Sequence, residues 1–238
     1  FDMATGEPFD WNDESMRSRM FVASARDPRF ARTLIYNGAT FKGQPVQSYV
    51  GGRNGRPLDG ATPTSYYLRK HIVEATSFVT GSEMSYQHIF PFFRYAEVLL
   101  NYAEALAAAT QNPDFTGMKG EVEYTLSPRE ALNAVRARYN MPGITETDYA
   151  AFVKRLRNER RVELAFEGHR FWDIRRWKIG AETTKVYGLT ITPQNDGSFS
   201  YMRSVIQQRG WEDRMNFYPI ADAELFKNHN LVQNDGWK

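Results

Sequence analysis

From Arg94 to Ala109 the chain is written as a slim helix built to lie against another. Tyr95, Val98, Leu99, Tyr102 and Leu106 recur at helical spacing, while Ala103, Ala105, Ala107, Ala108 and Ala109 keep its surface thin. The helix is expected to stop near "TQNPDFTG", where Pro113 cannot continue it. A second helix is announced by "SPREALNAVRARYN", with Ser127, Pro128 and Glu130 in the N-cap, N1 and N3 positions of a capping box. Ala131, Leu132, Val135 and Tyr139 form its expected buried face. Such an α-hairpin has repeat character, and one pair cannot bury both of its faces; about three or more repeats are normally needed. The rest of the array is expected outside this chain.

Around this hairpin the sequence changes character. Residues 1–93 are rich in Gly, Pro, Asn and aromatics, and "NGATFKGQPV" and "VGGRNGRPLDGATP" read as turns between short apolar segments. Loops with a few short strands are expected there, one of them within "TSYYLRKHIV", Thr64 to Val73. A third helix is predicted from Asp148 to Glu167, with Val153, Leu156 and Leu164 on its core face and Gly168 as a left-handed cap. Gly180 to Arg214 reads as irregular, and the tail as bearing one short helix. The expected class is therefore mainly α, in one domain: a loop-rich region (1–93), a helix pair (94–140), and a Glu/Arg helix with an irregular segment and tail (148–238).

With 30 basic and 28 acidic residues interleaved along the chain, no global field recruits nucleic acid. The absence of cysteine removes disulfides, thiol catalysis and thiolate metal sites from this chain. No apolar run reaches the roughly 20 residues of a membrane span. A chain starting at Phe1 without methionine is expected to be processed or part of something longer.

The densest chemistry lies in "ERRVELAFEGHRFWDIRRW", Glu159 to Trp177. Glu159, Glu163 and Glu167 fall on one helical face, each step rising about 6 Å, which superficially resembles the carboxylate gap of a retaining glycosidase. A glycosidase pair must instead flank a sugar from opposing walls. The surrounding arginines, Arg160 and Arg170 among them, should also lower carboxyl pKa values where a general acid needs a raised one. A structural ion-pair network of Glu159, Glu163, Glu167, Arg160, Arg170 and Asp173 is the stronger reading, with pairing at three- and four-residue offsets. No catalytic residue is assigned.

Other motifs carry less. His71, His88, His169 and His229 lack metal-ligand spacing, "GGRNG" lacks the lysine of a phosphate loop, and "DWNDES" lacks the glycine and distal glutamate of a calcium loop. No metal or cofactor is expected. Aromatic rings in loops remain: Trp11 and Phe9 in the polar stretch "EPFDWNDES", and Tyr49 beside a glycine-rich turn, are the candidates for stacking on a sugar.

Five stretches in order, "ARDPRFARTLIYNG", "SYYLRKH", "RYAEVLLNYAEAL", "ERRVELAFEGHRFWDIRRW" and "YPIADAELFKNHNLVQNDGW", resemble the SusD/RagB family of outer-membrane nutrient-binding lipoproteins. The tail departs from the family pattern at Ala221 and His229, where prolines are usual. The resemblance implies the C-terminal portion of such a protein, with the tetratricopeptide-like helix pair as the end of an array. It implies a lipid anchor located in the part not present here, and a cell-surface, outer-membrane location. It also implies a non-enzymatic role: capturing a glycan and handing it to a TonB-dependent transporter of the SusC type. The alternatives are a glycoside hydrolase using a Glu pair and a purely protein-binding helical scaffold.

Overall fold

The computed structural model describes residues 1–237. Its elements, in chain order, begin with helices α1 (Glu14–Ser18) and α2 (Pro28–Thr33) and the two-residue strands β1 (Leu34–Ile35), β2 (Thr40–Phe41), β3 (Gln44–Pro45) and β4 (Tyr67–Leu68). Helix α3 (Tyr95–Thr110), strands β5 (Gly117–Lys119) and β6 (Val122–Tyr124), and helices α4 (Pro128–Ala137), α5 (Tyr149–Glu163) and α6 (His169–Arg176) follow. Strands β7 (Lys185–Pro193) and β8 (Phe199–Gln208) and helix α7 (Asp222–Lys227) complete the series. Two compact units result: one joins Phe1–Ser48 to Tyr66–Glu167, the other joins Tyr49–Ser65 to the residues from Gly168 onward.

The first unit is organised by the α3–α4 hairpin with α5 against it. Ser127 caps α4 by accepting from the Glu130 N–H, and the Glu130 carboxylate accepts from the Ser127 N–H at 2.8 Å, so two orphan amides are satisfied reciprocally. Leu100, Ala103, Ala107, Ala131, Leu132, Val135, Phe152 and Leu156 form a sealed core among the three helices. Small residues on α3 permit that close approach, and the larger side chains opposite fill it. Two members of the stripe read from the sequence are uncovered, Tyr95 at 72% and Val98 at 55% exposed, because Leu100, Ala103 and Ala107 turn inward with Leu99 instead. Tyr139, expected on the buried face of α4, follows the end of that helix and is half-buried.

A second core in this unit is aromatic. Phe30 stacks on Tyr36 with centroids 4.6 Å apart, and Phe21 stacks on Tyr36 at 5.4 Å. The segment Thr64 to Val73, expected as a strand, contributes only the two residues of β4, which pair antiparallel with β1 through Leu34 and Leu68. Its Arg69 is engaged instead with Glu74 and with the carbonyl oxygen of Ala31.

The third helix is shorter than predicted. α5 ends at Glu163, and Gly168 at φ +82° precedes α6 rather than closing α5. Phe152, not Val153, joins Leu156 in the core. The turn between these helices includes Phe166 at φ +62°, a left-handed conformation that periodicity alone does not reveal.

The largest correction lies in the second unit, where the expected irregular segment is the long antiparallel hairpin β7–β8, paired from Lys185↔Gln208 to Pro193↔Phe199. The loop from Tyr49 to Ser65 runs along β7. Val50 donates its N–H to the Ile191 carbonyl at 2.8 Å, and the Ser65 hydroxyl donates to Leu189 at 2.6 Å. Leu189 and Ile191 are buried in consequence. Gly188 sits at the closest approach, where an added Cβ would lie 2.5 Å from the carbonyl oxygen of Pro63. The Pro63 carbonyl is backbone and cannot yield easily, and the Ile206 side chain crowds the same space at 2.6 Å, so Gly188→Ala is expected to cost roughly 1–3 kcal/mol by overpacking. A urea titration showing an unchanged midpoint would remove this account of the loop.

Candidate functional site

The predicted row of glutamates is present, but its partners come from far along the chain. α5 carries Glu159 and Glu163 one turn apart, both buried, and Glu167 follows beyond the helix end. Arg29, on α2, donates to Glu159 and at 3.0 Å to Glu163, and pairs with its own N-cap Asp27 at 2.7 Å. Arg136 of α4 reaches Glu159 at 2.7 Å and Asp2 at 3.3 Å. Arg94, the N-cap residue of α3, reaches Glu163 at 2.8 Å and Glu167 at 2.6 Å. Lys70 pairs with Glu167 and donates to the Glu163 carbonyl at 3.1 Å.

Glu159, Glu163 and Glu167 therefore each lie between two cations from other elements. Burial alone would raise the pKa of Glu167, but the hydrogen bonds from Arg94 and Lys70 outweigh it and hold the carboxyl below its usual range. At Arg29 burial pulls the guanidinium down, while its bonds to Asp27 and Glu159 leave it raised. These groups are held charged, the reverse of what a proton donor to a leaving group requires.

The partners named for these acids come from other elements rather than from the intrahelical offsets that spacing suggests. Arg160 donates to the Asn101 side chain at 2.6 Å. Arg170 and Asp173 belong to the second unit, where Arg170 lies 6.0 Å from the Trp177 ring centre and Asp173 accepts from Arg176 at 3.0 Å. Sequence reading missed Arg29, Arg94, Arg136, Lys70, Asp27 and Asp2. The one local signal was "DPR", an N-cap aspartate followed two residues later by an arginine.

The candidate stacking residues are divided between the two units. Phe9 is half-buried with the Arg26 guanidinium 4.4 Å from its ring centre. Trp11 is half-buried, with Arg17 at 5.9 Å from its ring and bonded to its carbonyl oxygen at 3.0 Å. Tyr49 lies in the other unit, leaning on Phe199 with centroids 5.3 Å apart. A group of rings that the sequence reading did not assign to a site, Phe171, Trp172 and Tyr218, is clustered in that unit, with Trp172 59% and Tyr218 56% exposed. Among the described residues no three His, Asp or Glu side chains converge as metal ligands, and no helix is long and apolar enough to cross a membrane.

Residues 1–237 match the profile of the SusD family. A curated relative, SusD-like protein P2 of Formosa agariphila, is 33% identical over 146 residues, covering 60% of this chain and 24% of the relative. A solved SusD-like protein from Bacteroides fragilis superposes with a TM-score of 0.75 at 28% identity, over 100% of this chain and 45% of its own. A SusD-like carbohydrate-binding protein from the same species gives 0.70 at 30% identity, over 97% of this chain and 46% of its own. The chain thus spans about a quarter of the curated relative and less than half of these solved chains.

Removing one member of the lattice strands a buried opposite charge. Glu163→Gln is expected to destabilise the first unit by about 3–5 kcal/mol in a denaturant titration; a loss under about 1 kcal/mol would mean the lattice is well hydrated. The pH dependence has a definite sign. The folded-state pKa of Glu167 is below its ordinary 4.5, so its contribution is complete above about pH 5 and is lost as pH falls through the folded value. Lys70→Met should shrink this acid-side loss, and identical profiles for variant and wild type between pH 3 and 6 would contradict it.

Proposed function

The chain belongs to the SusD family, and from that premise we propose that it is a non-enzymatic glycan-binding module of the outer-membrane cell surface. It captures oligosaccharides and passes them to a TonB-dependent transporter of the SusC type. The observation that carries this reading is the likeness over nearly its whole length to a solved SusD-like carbohydrate-binding protein. The chain forms the C-terminal portion of a single SusD-like domain that is lipid-anchored to the outer membrane through a segment outside this sequence. The α3–α4 hairpin is one unit of a tetratricopeptide-type array, and the uncovered Tyr95 and Val98 are the side on which a further helix packs.

The acids of α5 hold the fold, and the sugar is met by rings carried on loops: Trp11 and Phe9, with Tyr49 as a separate contact. Loops placed on a rigid scaffold can change their ligand without disturbing the lattice beneath. Support for a binding rather than a hydrolytic role comes from the paired state of Glu159, Glu163 and Glu167.

A tryptophan-fluorescence titration against a panel of soluble polysaccharides tests this. At least one member is expected to give a saturable response without releasing reducing ends, and Trp11→Ala should weaken it roughly threefold to tenfold, the worth of one stacked ring. Reducing ends that accumulate, and cease in Glu163→Gln, would replace capture by hydrolysis. Binding unchanged in Trp11→Ala would move the site away from this loop.

A further inference from the structure

The second unit contains a cavity of about 260 Å³ whose lining includes two arginines and no carboxylate. Phe171, Arg175, Thr183, Thr184, Arg209 and Trp211 contribute its chemistry. Its volume equals that of roughly nine liquid waters at about 30 Å³ each, room for a single sugar ring rather than a chain. Trp211 is seated on the Gly180 backbone, where an added Cβ would lie 1.8 Å from the indole, so this wall is fixed.

Arg175 is the unusual member. Its guanidinium carbon lies 3.6 Å from the Phe171 ring centre, 5.4 Å from Trp211 and 5.6 Å from Tyr218. Nη1 donates to the Phe171 carbonyl at 3.0 Å. Nε is buried with no hydrogen-bond partner, and Arg175 makes no ion pair among the described residues. Nη1 is engaged and Nε is closed off from solvent, so Nη2 is the group left to donate a charge-assisted hydrogen bond to a carboxylate oxygen. A half-buried cation without its anion is costly, and a bound carboxylate would remove that cost. The Thr183 and Thr184 hydroxyls donate to the carbonyls of Gly180 and Ala181, at 2.8 and 3.1 Å, which leaves their oxygens able to accept from sugar hydroxyls.

We propose that this cavity is a subsite for a uronic acid residue, with the carboxylate at Nη2 of Arg175, Arg209 adding positive charge, and the ring against Trp211. The ligand class rests on the glycan-binding reading above; the demand for an anion rests on the cavity alone.

The test titrates the whole chain with glucuronate and with glucose, following tryptophan fluorescence, in wild type, Arg209→Gln and Gly210→Phe. Gly210 lines the cavity, and an added Cβ there meets nothing within 4 Å, so Gly210→Phe fills the space without a backbone clash. Thermal unfolding of both variants confirms folding. Glucuronate is expected to bind at least about tenfold more tightly than glucose, with about tenfold lost in Arg209→Gln and no saturable binding left in Gly210→Phe. Equal responses to the two sugars, or glucuronate binding unchanged in both variants, would overturn the subsite. Neutral polysaccharide bound without any preference for uronate overturns the subsite and leaves glycan capture standing. Glucuronate bound and lost in the variants, with no polysaccharide bound, upholds the subsite and removes capture. Silence towards every saccharide overturns both.

Discussion

The guanidinium of Arg29 is the joint on which the first unit depends. It is buried, and so are Asp27, Glu159 and Glu163, the carboxylates it touches. Charges taken out of water are expensive, and mutual attraction offsets that cost only when the geometry satisfies their donors and acceptors together. Here Arg29 ties α2 to α5, Arg136 ties α4 to the same Glu159, and Arg94 ties the start of α3 to Glu163. Helices α2, α3, α4 and α5 are therefore each held in register by a directional contact as well as by an apolar side.

That division of labour explains the sequence of α5. Phe152 and Leu156 face the apolar core, while Glu159 and Glu163 continue along the helix and are buried among arginines. A wholly apolar surface could slide by a turn at small cost. The carboxylates penalise every such shift, because a one-turn slip would leave buried charges unpaired. The acids that look most like catalytic equipment are thereby committed to holding helices in place.

Those rings are distributed unequally. Phe9 and Trp11 each have an arginine against the ring, so their orientation is set by cation–π contact rather than by deep burial. In the other unit Arg175 stands beside three rings and makes no ion pair among the described residues. An arginine paired with carboxylates supports a fold; Arg175 is held by aromatic neighbours instead.

By itself the sequence determined the features that close within one or two turns of chain. The existence of α3, the Ser127–Glu130 capping box and the start of α5 after Asp148 depend on neighbours three or four residues away, and local pattern reveals them, although it did not reveal which face of α3 is buried. Hairpin β7–β8 escaped because strand propensity is weak until a partner and a packing surface exist, here Ile191 and Leu189 beneath the Tyr49–Ser65 loop. The ion lattice escaped for a related reason. Arg29 stands 134 residues from Glu163 and Arg94 stands 69 from it, and a charge in sequence carries no label for its partner. Only the tertiary structure decided which cations were consumed by the fold and which, like Arg175, were left over, because burial and pairing are properties of space rather than of order along the chain.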